Sequence, residues 1–235
     1  MNNFIKLFGI IALVTVIGFL TVTCDDGGDK GGPAFLGNTL KLSGQVYTIQ
    51  SQMEPKPSIS YQKFTDSLSI SDDGCGGTGG ITNGQFSYTI GTPTGLGTNW
   101  LYDFEDYDDV TASNLTAKGA FLSLGVDDTK YYGLGKSSGS ASGSSSSYSY
   151  TMEYVSYVYV DNDVTISGKG KSHTNGEGSF TLTTKNFSLA LKAGWNAIYG
   201  KGTISANSSV ETYTVAISLG NPSLKWVLFE DRYVD

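Results

Sequence analysis

Histidine occurs once in this 235-residue chain, at His173, and cysteine twice, at Cys24 and Cys75. So few donors cannot assemble the four-ligand His/Cys set of a zinc site. Two cysteines provide no disulfide framework, and Cys75, set in Gly74-Cys75-Gly76-Gly77, reads as an inert turn residue. A Ser-His-Asp triad would have to use His173, whose polar surroundings Lys171-Ser172-His173-Thr174-Asn175-Gly176 read as a turn between strands. Basic residues are outnumbered 22 to 15, a formal charge of −7, which repels nucleic acid and anionic lipid. Only 5 prolines and 16% charged residues accompany 31 glycines and 15 tyrosines, the composition of short strands joined by tight turns. No amphipathic helix is legible after residue 24. Neither a cofactor nor a catalytic residue is expected, so the chain reads as no enzyme. A pair of strand-borne carboxylates acting on glycans is the weaker alternative.

Long hydrophobic runs are also missing, with one exception. Lys6 precedes an apolar stretch from Leu7 to Val22 that ends at Cys24. It suits the apolar segment of a signal peptide and falls short of the roughly 20 residues that comfortably span a bilayer. Asp25-Asp26-Gly27-Gly28-Asp29-Lys30-Gly31-Gly32-Pro33 follows at once. The pattern resembles the signal peptide of bacterial lipoproteins. That resemblance implies cleavage before Cys24, a diacylglyceryl group on its sulfur and a palmitate-type acyl chain on the new amine. Leu20-Thr21-Val22-Thr23-Cys24 departs from the usual pattern in its threonines. The reading divides the chain into a signal peptide (1–23), a tether (24–37) and one all-β domain (38–235). Removing Lys6 leaves 14 basic against 22 acidic residues, a charge of −8. Membrane contact then comes through the covalent lipid, two or three acyl chains holding far more firmly than one. A flexible Asp25–Gly37 would reach roughly 20 Å.

Alternation of apolar and polar residues predicts strands at Thr39–Gln50, Tyr61–Ser71, Gln85–Ile90, Leu115–Val126 and Lys130–Lys136. Further strands are predicted at Tyr148–Val160, Val164–Gly168, Gly178–Thr184, Phe187–Leu191, Trp195–Gly200, Val210–Leu219 and Leu224–Phe229. Asn83-Gly84 predicts a type I′ hairpin turn, which needs positive φ at both central residues. Asp72-Asp73-Gly74 predicts a turn whose Asp side chains bond the backbone. The fold class is therefore all-β: an antiparallel two-sheet sandwich or sandwich-like barrel of about eleven or twelve strands after an N-terminal signal helix. Residues 137–147, SSGSASGSSSS, read as a loop too poor in apolar surface to order itself, or as the split between two β subdomains.

Three stretches invite a functional reading. Asp103, Glu105, Asp106, Asp108 and Asp109 crowd Asn99–Val110, but the EF-hand spacing is absent. A solvated acidic strand edge that resists edge pairing accounts for them without metal. Asp161-Asn162-Asp163 reads as turn chemistry. Tyr148, Tyr150, Met152 and Tyr154 share one face of the longest strand, and Val155, Tyr157 and Tyr159 share the other, which predicts a central strand with one face on the core and the other covered or exposed as an aromatic surface for sugar or protein. Lys185–Tyr199 reads as a hairpin turning at Lys192-Ala193-Gly194, with Gly194 at positive φ and Trp195 in the core.

From Gly44-Gln45-Val46-Tyr47 to Asn83–Ile90 the chain faintly resembles transthyretin-like sandwich modules of bacterial surface proteins. Lys185–Tyr199, Leu219-Gly220-Asn221-Pro222-Ser223-Leu224-Lys225-Trp226 and the signal-plus-tether arrangement resemble spirochaete lipoproteins of unknown function. The lipoprotein resemblance implies a surface or periplasmic lipoprotein of unknown function. The expectation is a lipid-anchored cell-envelope protein of the outer membrane or cell surface, acting by binding or as structure, with protein or glycan as the open partner classes. An integral outer-membrane β-barrel is the alternative class. Lys41, Lys63, Glu153 and Lys225 on strand faces that would meet lipid speak against it.

Overall fold

The computed structural model describes residues 34–230, apart from 53–56, 73, 105–106, 129–130, 145, 175–178 and 208–209. Cys24, the signal segment and nearly all of the tether lie outside the described residues. The chain opens with β1 (Phe35–Gly37) and β2 (Leu40–Gln52), then β3 (Ser58–Lys63) and β4 (Leu68–Asp72). The single strand expected over Tyr61–Ser71 is thus two, with buried Phe64 at the break donating its N–H to Val46 O at 3.0 Å. Next come β5 (Thr78–Thr82) and β6 (Gln85–Ile90), joined by Asn83 at φ 49° and Gly84 at φ 72°. That is the expected type I′ turn, and Phe86, Tyr88 and Ile90 are the buried face of β6.

A 3-10 helix (Asn99–Phe104) precedes β7 (Asp108–Ala112), followed by β8 (Gly119–Phe121), β9 (Leu124–Val126), β10 (Tyr131–Ser144) and β11 (Ser147–Val160). The serine-rich run expected as a loop is strand. Ser137–Ser144 pair residue for residue with Ser147–Tyr154 of β11. A backbone ladder needs no apolar side chains of its own, and the tyrosines and Met152 of β11 supply the packing. The remaining strands are β12 (Val164–Lys169), β13 (Ser172–Thr174), β14 (Phe180–Thr184), β15 (Phe187–Leu191), β16 (Gly194–Ala206), β17 (Glu211–Leu219) and β18 (Lys225–Glu230). The described residues form eighteen strands rather than eleven or twelve, because apparent single strands break and short edge strands carry no periodic signal.

The fold is all-β and sandwich-like, and its main sheet is mixed rather than purely antiparallel. β18 runs parallel to β2 and β14 parallel to β17. Part of this sheet closes on itself in the order β10-β18-β2-β6-β5-β4-β9, with β9 returning to pair β10 at Gly125↔Gly133, a ring of seven strands. From β10 the sheet continues open through β11, β16, β17, β14 and β13. One apolar cluster fills the ring, including Leu42, Val46, Phe86, Tyr88, Leu134, Tyr157, Trp226 and Leu228. The second sheet, β15-β12-β7, packs Ile166, Phe187, Leu189 and Leu191 against Val158, Val160, Ile198 and Ile217 of the main sheet.

β15 and β16 lie in different sheets and do not form the expected hairpin. Lys192-Ala193 carries the chain between layers. Buried Asn196 holds that crossing by accepting from Lys192 N at 3.0 Å and donating to Lys192 O at 2.8 Å and Gly194 O at 2.9 Å. Gly194 does take positive φ, at 117°, and Trp195 is fully buried. β11 is central as expected: Val155, Tyr157 and Tyr159 face the ring cluster, while Val158 and Val160 face the second sheet.

Candidate functional site

The sequence-derived candidates scatter. Asp103 falls in the 3-10 helix and Asp108 and Asp109 in the edge strand β7, so the cluster does not alternate along one strand. Glu105 and Asp106 lie outside the described residues. Asp109 pairs with Lys169 at 2.6 Å across the β7–β12 edge, and that ammonium holds its carboxyl below the usual range. Asp163 accepts from Lys192 Nζ at 2.8 Å and Ala193 N at 2.9 Å, and Asp161 accepts from Lys118 N at 2.8 Å, which is the expected turn chemistry. No group of three or more His, Cys, Asp or Glu side chains suited to a metal occurs among the described residues. His173 sits exposed in strand β13 rather than in a turn. Cys75 is buried, its Sγ 3.9 Å from Phe121 O. Gly135-Lys136-Ser137-Ser138-Gly139 has the letters of a nucleophile elbow, but it lies inside β10. Buried Ser137 donates to Glu153 O at 3.0 Å, so no strand-to-helix turn presents it.

The tyrosines of β11 divide by face. Tyr148 and Tyr150 pack edge-on at 5.5 Å in a third apolar cluster with Ile204, Tyr213 and Val215. Burial pushes the Tyr148 hydroxyl up, and its bond to Glu211 at 2.7 Å adds to the shift. This row is covered and offers no open aromatic platform.

The opposite face of the open sheet is polar and regular. Ser140, Thr151, Thr203, Thr214, Thr183 and Ser172 form one row across six adjacent strands. Ser142, Ser149, Ser205, Thr212, Thr181 and Thr174 form the next. All twelve are exposed or half-exposed, and neighbours bond directly, as Thr174 to Thr181 at 3.0 Å and Ser172 to Thr183 at 3.1 Å. Strand geometry spaces such hydroxyls about 4.8 Å across the sheet and about 6.7 Å along it.

A cavity of about 470 Å³ opens where this face meets the ring, lined by Lys41, Tyr47, Lys136, Tyr157, Asn221, Lys225 and Trp226 among others. Topology creates it. β18 pairs with β2 only over Val46–Thr48, so the Lys41–Gln45 edge of β2 has no strand on that side. The connection from β17 to β18 passes there instead, anchored by Gly220 N on Ala197 O at 3.1 Å. It sets Asn221 over the sheet, where its Oδ1 accepts from Lys136 Nζ at 2.6 Å and from the Tyr157 hydroxyl at 3.3 Å. Trp226 is fixed by donating to Ser43 O at 3.0 Å and lies 4.5 Å from Phe86, ring to ring. Lys225 projects over the rings of Tyr61 and Tyr47, 5.0 and 5.8 Å from their centroids.

Lys136 is the residue the sequence reading missed. It follows Leu134 on the ring-facing side of β10, and its row partner on β11 is buried Val155. Desolvation pushes its ammonium below the usual lysine range. A lysine in phase with the apolar face of a strand was the available signal. Asn221 gave none, because its place depends on where β17 and β18 lie in the sheet. No family model, no curated protein and no solved structure matches this chain.

Proposed function

We propose that this is a lipid-anchored cell-envelope protein, held in the membrane through acyl groups on Cys24, which acts by binding a ligand in the cavity between β2 and β10. The observation that carries the binding reading is the cavity itself, where three lysines line a concavity of a protein whose formal charge is −7. Its volume lies in the range of ligand sites, and aromatic walls with a few fixed polar groups are their usual lining. Cations, ring faces and an amide suit recognition, and the lining residues include no Asp, Glu, His or Cys to serve as acid, base or thiol nucleophile. The anchor reading rests on the apolar run ending at Cys24 and the Gly- and Asp-rich stretch after it.

The ring supports the anchored module over an integral barrel. Its interior is packed with apolar and aromatic side chains, whereas membrane barrels turn a polar interior to the lumen and an apolar band outward. Growth with radiolabelled palmitate tests the anchor: the wild-type protein incorporates label and Cys24→Ala does not. Equal labelling of the two would refute the anchor, and a requirement for detergent after deletion of residues 1–24 would favour the barrel.

A further inference from the structure

Lys136 is a half-buried ammonium whose hydrogen-bond acceptor is a neutral amide oxygen, Asn221 Oδ1 at 2.6 Å. The ion pairs seen among the described residues, Lys169–Asp109 and Lys192–Asp163, lie elsewhere. A cation that has given up water for a dipole gains from an incoming anion far more than an exposed lysine does, because the surrounding protein screens less than water. Lys41 and Lys225 border the same opening. Lys225 is in register with Ser137 and lies over Tyr61 and Tyr47, so it flanks the gap from the other face of the sheet and adds positive charge at its rim. Half-buried Tyr47 adds apolar ring surface, with Tyr157 and Trp226 buried behind the opening. Beyond Lys136 the same face of β10 continues as Ser138, Ser140 and Ser142, the last two belonging to the twelve-hydroxyl array. The array is uncharged and offers donors and acceptors without an apolar patch. Between it and Lys136 runs the row Ser138, Glu153 and Lys201, in which the two opposite charges stand side by side on neighbouring strands. A charged pocket joined to a neutral hydroxyl-rich plane matches a ligand with a carboxylate at one place and many neutral hydroxyls around it.

We propose that the cavity is the carboxylate-binding end of a site for an acidic oligosaccharide, with a uronate against Lys136 and Asn221, Lys225 adding positive charge at the rim, and further sugar units on the Ser/Thr rows. This rests on the reading of the cavity as a ligand site and names its ligand class. The chemistry distinguishes such a chain from an acidic peptide, which has few hydroxyls to offer the array, and from inorganic phosphate, which has no use for it.

The full chain in a sugar-free polyoxyethylene detergent can be titrated calorimetrically with tetragalacturonate, galacturonic acid, maltotetraose, polyglutamate and inorganic phosphate. Tetragalacturonate is expected to bind most tightly, galacturonic acid more weakly and maltotetraose not measurably. Lys136→Gln should weaken the tetramer at least tenfold, and the exposed Lys225→Gln about threefold. Thr151→Val with Thr203→Val should weaken the tetramer while leaving galacturonic acid unchanged. Lys225→Gln and the threonine variants keep the test decisive if Lys136→Gln fails to fold. Polyglutamate binding as tightly as tetragalacturonate would make this a site for acidic peptide and overturn the proposal. Phosphate matching the tetramer, or wild-type affinity in both lysine variants, would overturn it too. Binding of maltotetraose alone would sink the acidic class yet leave the binding module standing. Silence from every probe would refute the ligand class while palmitate labelling of Cys24 still reported on the anchor.

Discussion

Replacing Trp195 with alanine is the sharpest test of how the main sheet is packed. The indole is fully buried, stands edge-on to Tyr159 at 5.6 Å, and donates through Nε1 to Gly91 O at 2.8 Å. Burying a side chain of this size removes about 150–250 Å² from water, worth roughly 4–6 kcal/mol at about 25 cal/mol per Å² as an upper estimate. Large-to-alanine changes in cores cost about 3–5 kcal/mol. The hydrogen bond adds little, because Gly91 is exposed and its carbonyl can take water instead, a net loss of about 0.5–1.5 kcal/mol. The cavity term therefore dominates, and Trp195→Phe, which keeps most of the volume, should cost only about 1–2 kcal/mol. At about 2–4 °C per kcal/mol for a chain of this size, Trp195→Ala should melt roughly 10 °C below wild type and Trp195→Phe about 3–6 °C below, followed by circular dichroism. If the phenylalanine variant were as unstable as the alanine variant, the hydrogen bond and not packing would be the main contribution. A wild-type melt in both would refute the core assignment.

Two further predictions follow from single contacts. Gly84→Ala should destabilise by more than about 1 kcal/mol in urea titration, since Gly84 holds φ 72° and an added Cβ would overlap the carbonyl oxygen of Phe64; an unchanged midpoint would contradict the tight β5–β6 turn. At Asp72, burial pushes the carboxyl up, but hydrogen bonds from Tyr88 Oη at 2.7 Å, Gly77 N at 2.6 Å and Gly76 N at 3.1 Å outweigh it and hold it below the usual carboxylate range. Its stabilising effect is thus complete above about pH 4 and disappears as pH falls through the lower folded value. Thermal melts between pH 2 and 6 should show wild type losing more stability on acidification than Asp72→Asn, and parallel curves would remove Asp72 from the account.

Much of the strand inventory could be read from local pattern because period-2 alternation and turn chemistry act between neighbours in the chain. β2, β6, β11, β12 and β17 follow their predicted stretches within a few residues, and Asn83-Gly84 turns where the sequence places it. Three misreadings share one cause. Ser137–Ser144 is strand because β11 lies beside it, Lys192-Ala193 is a crossing between layers because β15 and β16 choose different neighbours, and Phe64–Ser67 breaks a strand because the β5–β6 turn docks there. Pairing partners are set by the whole sheet and leave no local trace in a serine or a lysine. The cavity belongs to the same class of fact. Lys41, Lys136, Asn221 and Lys225 span most of the chain and meet only because β18 runs parallel to β2 and pairs with it over so short a stretch. Local periodicity determined which residues form strands and which side chains turn inward. Tertiary structure alone decided which strands are neighbours, and with that where a lysine on an apolar strand face would come to line an open pocket.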